Sequence, residues 1–235
     1  LNPHTIQRFY NGLGEEKDGK PGLSPKSIKI VHGVLHKVMG QAVALGYLQS
    51  NPADKCTLPK VVRKELNPLD EDAITRFMEA IKGHRFELVF LVTLFTGMRQ
   101  GEVLGLAWDC VDFDRGTISI RRQLQKATDS TGEYRLLTPK NGKGRTITPA
   151  PFVMELLQTQ RRRQAEWKLA IGSAWEDSGL VFTNEMGRHL MPHVVYKAFK
   201  KVAASIGCSD TRFHDLRHSY AVAAIKSGDD IKTVQ

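Results

Sequence analysis

Phe86-Glu87-Leu88-Val89-Phe90-Leu91-Val92-Thr93-Leu94-Phe95, followed by Thr96-Gly97-Met98-Arg99-Gln100-Gly101-Glu102-Val103-Leu104, is the stretch on which the fold turns. The first ten residues are a nearly unbroken apolar run, and that pattern predicts a buried helix. Thr96-Gly97 breaks it. A short helix carrying Arg99 and Glu102 follows. A turn at the end of a buried helix is a rigid place from which to present a charge. Glu102, three residues on, can hold the Arg99 guanidinium in position, and the same spacing also fits an ordinary helix ion pair.

Upstream, the acidic Asp70-Glu71-Asp72 suits a helix N-terminus, and Ile74, Phe77, Met78 and Ile81 continue that helix. Residues 51–68 hold Asn51-Pro52, Pro59, the basic run Lys60-Val61-Val62-Arg63-Lys64 and Pro68, with no periodicity across them. A domain boundary is expected there, giving a helical domain over 1–58, a linker over 59–66 and a second domain over 67–235. In the first domain Asn2 to Leu13 reads as a short helix. Ser24-Pro25 opens a longer one, with Ser as cap and Pro in the first turn. Ile28, Val31, Leu35, Val38, Ala42 and Leu45 would face inward, and Gly46 would end it. Lys26, Lys29 and Lys37 lie on the other face, as a solvated surface or as phosphate contacts.

Downstream, Asp114-Arg115-Gly116 is a turn, and Ile118 and Ile120 alternate with polar neighbours as in a strand. Tyr134 to Lys140 is a second strand. Asn141-Gly142 is a hairpin signal, with Arg145-Thr146-Ile147-Thr148 returning and Lys140 at the tip. Residues 152–170 are helical and carry Arg161-Arg162-Arg163. Pro192 to Ile206 is amphipathic, with Val195, Ala198, Phe199 and Val202 inward and Lys197, Lys200 and Lys201 outward. A last helix carries His214-Asp215-Leu216-Arg217-His218 and ends near Gly228. The expected fold is mainly α with a small antiparallel β-sheet, an α+β arrangement.

The 34 Lys and Arg residues outnumber the 25 Asp and Glu by nine. A pI near 9.5 favours a polyanionic partner, and nucleic acid is the commoner one. No apolar run approaches a membrane span, and no signal peptide is evident. Cys56, Cys110 and Cys208 are far apart, which argues against a disulfide framework or zinc site and for reduced, buried thiols in a cytosolic protein. His189 and His193 flank Pro192, which opposes a continuous metal-binding helix. No paired carboxylates suggest a two-metal nuclease. Trp108, Trp167 and Trp175 read as packing residues.

Metal-free phosphodiester transfer needs cations for the non-bridging oxygens, a proton donor for the leaving oxygen and an activated nucleophile. His214 and Arg217, three apart, would share a helix face and converge on one phosphate. Taken in order, Thr96 to Leu104, Lys140-Asn141-Gly142-Lys143-Gly144-Arg145 and His214-Asp215-Leu216-Arg217-His218-Ser219 resemble the motifs of tyrosine recombinases. Most of the chain is similar to the integrases of temperate phages and conjugative transposons. Residues 1–58 resemble their core-binding domain, and the stretch from Leu180-Val181-Phe182-Thr183-Asn184 to Gly207 also fits.

The resemblance implies a site-specific DNA recombinase, a homo-tetramer on double-stranded DNA, cytoplasmic and nucleoid-associated in a bacterium. Arg99 and Arg217 would clamp the scissile phosphate. Lys140 would protonate the 5′ leaving oxygen, His214 would be base or hydrogen-bond partner, and Glu102 would support Arg99. Lys26, Lys29, Lys37, Lys143, Arg145, Lys197, Lys200 and Lys201 would meet DNA. A tyrosine would form a 3′-phosphotyrosyl link without cofactor, metal or ATP. That tyrosine is expected beyond Gln235, since the chain opens without Met and stops inside a helical pattern, both read as cuts. This chain by itself would then bind its site without cutting it. Tyr220 lies beside Leu216 and is expected in the core. The rivals are a non-catalytic DNA-binding regulator on the same fold and a type IB topoisomerase-like enzyme. A basic RNA-binding module is disfavoured because no RNP-like aromatic stretch is present.

Overall fold

Three helix starts near the N-terminus are written in capping residues. Asn2 accepts a hydrogen bond from the Thr5 N–H at 2.8 Å and opens helix α1, Pro3–Gly14. Ser24 accepts from the Ser27 N–H at 3.2 Å and opens α2, Pro25–Ala44, with Pro25 in its first turn. Asn51 accepts from the Ala53 N–H at 3.0 Å and opens a 3-10 turn, Pro52–Lys55. Each cap satisfies an N–H that the helix itself cannot. The computed structural model describes residues 2–62, 68–127, 129, 132–139, 142 and 144–226, with side chains through Tyr220. Its contacts divide the chain into Leu1–Glu65 and Leu66–Gln235.

In the first unit Ile6, Tyr10, Ile28 and Ala53 form the core, with Val31 and Leu35 packed at its edge. The inward face expected for α2 stops there: Val38 is 56% exposed and Leu45 62%. The reason is length. At 1.5 Å per residue the 12 residues of α1 reach about 18 Å and the 20 of α2 about 30 Å, so the distal turns of α2 outrun their partner within this unit.

The second unit begins with α3, Glu71–Ile81, capped by Asp70, which accepts from the Ala73 N–H at 2.7 Å. Helix α4, Glu87–Thr96, is the apolar run, and Leu88, Val89, Phe90, Val92 and Leu94 on it are all buried. Helix α5, Gln100–Leu104, follows. Next come strands β1, Val111–Asp112; β2, Thr117–Ile120; β3, Gln123–Lys126; β4, Tyr134–Leu137; and β5, Arg145–Ile147. Helices α6, Pro151–Ile171, α7, Pro192–Ser205, and α8, Asp215–Lys226, complete the described chain. The architecture is mainly helical with small antiparallel sheets. Phe90 lies at the centre, with ring centroids 6.0 Å from Phe77, 6.1 Å from Phe199 and 6.1 Å from Phe213, so one side chain joins α3, α4, α7 and the approach to α8. Ser219 on α8 accepts from the Leu69 N–H at 2.8 Å and donates to the Asp215 carbonyl at 3.0 Å.

The strand pairing differs from the expected hairpin. β4 pairs with β3 (Leu124 opposite Leu136), whereas β5 pairs with β2 (Ile118 opposite Ile147). β4 and β5, consecutive in the chain, therefore belong to different sheets. Pro139 has no N–H to continue a ladder, and β4 ends at Leu137. The turn beyond it is closed by the Gly142 N–H on the Pro139 carbonyl at 2.8 Å. β3 went unseen because Gln-Leu-Gln-Lys has no β-branched or aromatic residue. It is held by α5, which lies close against it: a Cβ on Gly105 would stand 2.6 Å from the Leu124 nitrogen. Of the three thiols expected to be buried, Cys110 is; Cys56 and Cys208 are half-buried. Trp108 Nε1 donates to Gln164 Oε1 at 2.8 Å, consistent with packing. Among the described residues no helix is long and apolar enough to cross a membrane.

Phe90→Ala should cost the second unit about 3–5 kcal/mol, since a wholly buried ring would leave a cavity among four helical segments. Urea unfolding followed by tryptophan fluorescence reads this unit, because Trp108, Trp167 and Trp175 all lie in it. A loss below about 1 kcal/mol would show that the cluster can collapse around the gap.

Candidate active site

The site is built where α4 stops. Gly97 closes α4 in the left-handed conformation, φ 61°, and its N–H donates to the Thr93 carbonyl at 3.0 Å. The turn leaves no room for a side chain: a Cβ on Gly97 would lie 2.6 Å from Cδ1 of Tyr220. Arg99 follows in extended conformation as the residue before α5. Glu102, three residues on, reaches back. Its Oε2 accepts the Arg99 backbone N–H at 2.9 Å, and its Oε1 accepts Arg99 Nη1 at 2.8 Å.

A second arginine completes the arrangement. Arg145, the first residue of β5, donates Nη1 to Glu102 Oε1 at 2.9 Å and Nη2 to Oε2 at 2.8 Å. The Glu102 side chain is wholly buried. Burial pushes its carboxyl up, yet hydrogen bonds from Arg145 and Arg99, with the charge of Arg145, outweigh that and hold it at about 2. Arg145 was expected to meet DNA; both its terminal nitrogens are instead committed to Glu102. Nothing local in the sequence joins residues 43 apart, so this role was not legible there.

α8 brings the other half. Arg212 pairs with Asp215, donating its backbone N–H at 2.8 Å, Nε at 3.1 Å and Nη2 at 2.9 Å. Asp215 is buried, and burial pushes its carboxyl up while the Arg212 bonds pull it below the usual range. That pair sets the start of α8. His214 therefore stands just before the helix rather than on it, and its carbonyl accepts the Arg217 N–H at 3.2 Å. Arg217 Nη1 donates to the Gly97 carbonyl, tying α8 to the turn before Arg99. Burial lowers the proton affinity of Arg217, and the like charges of Arg99 and Arg145 lower it further. His214 is lowered by burial, then by His218, whose ring meets it edge-on at 4.9 Å, and by Arg217. The neutral imidazole is thereby favoured. Arg99, Glu102, Arg145, His214 and Arg217 thus share one electrostatic neighbourhood.

Tyr220, expected in the core, is half-buried with its ring over Gly97. Lys140 and Lys143 lie outside the described residues. Lys26, Lys29 and Lys37 are exposed on α2, and Lys197 and Lys201 on α7. Lys200, expected to point outward, is half-buried and donates to the carbonyls of Ser209 and Thr211, so it closes the loop after α7. Among the described residues no three His, Cys, Asp or Glu side chains are placed to hold a metal ion.

The profile of the phage integrase family matches residues 67–235. The chain belongs to the phage integrase family. It is 34% identical over 248 residues to the tyrosine recombinase XerC-like protein of Caldanaerobacter subterraneus subsp. tengcongensis, a match covering 97% of this chain and 61% of that protein. It is 24% identical over 217 residues to the ICEBs1 integrase of Bacillus subtilis, covering 91% and 58%. The chain therefore spans about three-fifths of the length of the curated relatives it matches. Its fold is similar to that of the Tn1549 transposon integrase solved with transposon right end DNA, with TM-score 0.83 at 19% identity, over 100% of this chain and 76% of that one. The lambda integrase bound to DNA is also similar, with TM-score 0.67 at 17% identity, covering 100% and 75%. The resemblance carried by the three motifs, and the mainly helical fold it implied, are borne out.

The pH dependence follows from Glu102. Its folded value, about 2, lies below its ordinary 4.5. Its contribution to stability is therefore complete above the ordinary value and is lost as pH falls toward the folded one. Glu102→Gln should lower the urea midpoint at neutral pH and flatten the fall in stability between about pH 4.5 and pH 2. Urea titrations of both proteins across that window check it; parallel pH profiles would contradict it.

Proposed function

We propose that this chain is the DNA-binding and phosphate-activating part of a site-specific DNA recombinase of a mobile element. The observation that carries the reading is the charge at the site. Two guanidinium groups, Arg99 and Arg145, share one buried carboxylate, Glu102, and Arg217 lies within electrostatic range of all three. A phosphodiester carries one negative charge, and its five-coordinate transition state carries two. A fixed cationic cluster therefore favours the transition state over the ground state, which is what lowers a barrier.

In this reading Arg99 and Arg217 take the non-bridging oxygens. A tyrosine hydroxyl attacks phosphorus; the bond to the 5′ oxygen breaks as the tyrosyl bond forms, giving a 3′-phosphotyrosyl link. Lys140 delivers the proton to the departing 5′ oxygen. His214, kept neutral, accepts the tyrosine proton or holds a phosphate oxygen. The bond energy is conserved in the link, so the reverse step rejoins DNA without ATP. Tyr220 is not assigned the attack, because its ring fills the Gly97 turn. The first 58 residues serve as a core-binding domain, residues 59–66 as a linker and 67–235 as the catalytic domain. Lys26, Lys29 and Lys37 on the first, with Lys197 and Lys201 on the last, contact the DNA backbone. Four copies assemble on double-stranded DNA in the bacterial cytoplasm. Support for DNA and for a tetramer comes from structures of similar fold, the lambda integrase among them as a tetramer bound to a Holliday junction.

Arg217→Ala in the full-length polypeptide should cut single-turnover cleavage of a nicked suicide substrate by about a hundredfold or more. Duplex affinity should stay close to normal, since many other cations hold the backbone. Near-normal cleavage would end the assignment. Strand exchange between two defined duplexes, as against relaxation of one, separates a recombinase from a topoisomerase.

Lys140→Ala is expected to be rescued by a substrate with sulfur in place of the 5′ bridging oxygen, because sulfur leaves without a proton. Arg99→Ala should not be rescued to the same degree. Equal rescue of both would remove Lys140 from the acid role, and Lys143 would be tested next.

A further inference from the structure

The geometry points to Arg145 as the positioning residue that keeps Arg99 available for the phosphate, through the buried carboxylate they share. The inference rests on the recombinase reading only for the identity of the anion. Glu102 accepts four hydrogen bonds: the Arg99 backbone N–H, Arg99 Nη1, Arg145 Nη1 and Arg145 Nη2. A carboxylate offers about four lone-pair sites, so this one is saturated. The two arginines divide the work unequally. Arg145 meets the carboxylate with both terminal nitrogens, the two-pronged geometry in which guanidinium neutralises carboxylate best. Arg99 gives it one terminal nitrogen, and its side chain stays 50% exposed against 32% for Arg145. The rest of the Arg99 guanidinium keeps its donors for an incoming oxygen.

The backbone explains why Arg145 can be relied on. It is the first residue of β5 and sits opposite Ile120 of β2. Gly144 before it passes close to β2, where a Cβ would lie 3.0 Å from the Ile120 carbonyl. The guanidinium is thus aimed from a paired strand into a carboxylate on α5, across 43 residues of sequence. Without it, a wholly buried carboxylate would lose two of its four donors. Arg99 is then the nearest cation and would turn side-on to replace them, withdrawing the donors that face the anion. An arginine whose two terminal nitrogens are taken in this way is poorly placed to be a DNA-backbone contact as well.

The test uses the full-length polypeptide with Arg145→Met and Arg145→Lys, each in the natural background and with Arg99→Lys. Single-turnover cleavage and duplex affinity over a salt series are measured. Arg145→Met should lower cleavage by about a hundredfold, and Arg145→Lys, keeping charge without the fork, should recover part of it. Affinity and its salt slope should not change. In the Arg99→Lys background, loss of Arg145 should cost less than about threefold, since the residue it acts through is already altered. A salt slope shallower by about 0.9 would instead make Arg145 a phosphate contact. An equal drop in both backgrounds would make it a general structural residue, and unchanged cleavage would remove it from the site. All three results overturn the proposal. Nuclear magnetic resonance of the Arg99 side-chain N–H groups gives a readout that needs no cleavage. Rotation more restricted in Arg145→Met than in the parent, where Arg99 gives the carboxylate only one terminal nitrogen, supports the inference even if the parent cuts no DNA, the result that would sink the recombinase reading alone. Rotation equally restricted in the two proteins, or freer in Arg145→Met, would overturn the inference. If Arg145→Met does not fold, Arg145→Lys carries the same comparisons.

Discussion

A carboxylate with no access to water, held between two arginines, is the constraint around which the second unit is arranged. Burying Glu102 alone would be costly, and an unpaired buried carboxylate would take up a proton. Instead it stays ionised because Arg99 arrives from the turn before its own helix and Arg145 from a strand 43 residues later. Removing either partner would leave the buried carboxylate with only two of its four hydrogen bonds, so the helix and the strand are bound to keep their relative placement. That rigidity is what a phosphate clamp requires, because misplacement of a charged group by an ångström forfeits much of its effect.

The apolar core converts this local constraint into a global one. Phe90 packs against Phe77, Phe199 and Phe213, so α4 is seated against the segments leading into α7 and α8. α4 ends at Gly97, where only a glycine suits both the backbone and the ring of Tyr220. The Gly97 carbonyl then receives Arg217 from α8, while the next residues present Arg99. Arg99 and Arg217 are thus both referred to one turn, and the turn to one buried helix. On the far side α5 lies close against β3 at Gly105, carrying the small sheets along with it.

The electrostatics follow from this packing. Burial lowers the proton affinity of Arg217, and the like charges of Arg99 and Arg145 lower it further. The fold holds them together by burial and backbone hydrogen bonds. An anion entering such a cluster would relieve that repulsion.

Much of this was legible along the chain. Asn2, Ser24 and Asp70 mark helix starts because a capping side chain acts on an N–H within three residues. The apolar run of α4, the Gly97 break and the pair Arg99–Glu102 are also local, and the order of the three motifs was enough to name the family. What failed was everything that joins distant segments. The partner of β5 is β2 and not β4, Lys200 turns inward to two carbonyls, Val38 and Leu45 of the α2 stripe are exposed, and Arg145 reaches Glu102 across 43 residues. The physical reason is the same in each case. Helix caps and i, i+3 pairs are decided by neighbours in sequence, whereas strand partners and buried charge pairs are decided by which surfaces the core brings into contact, and only the packed chain specifies that.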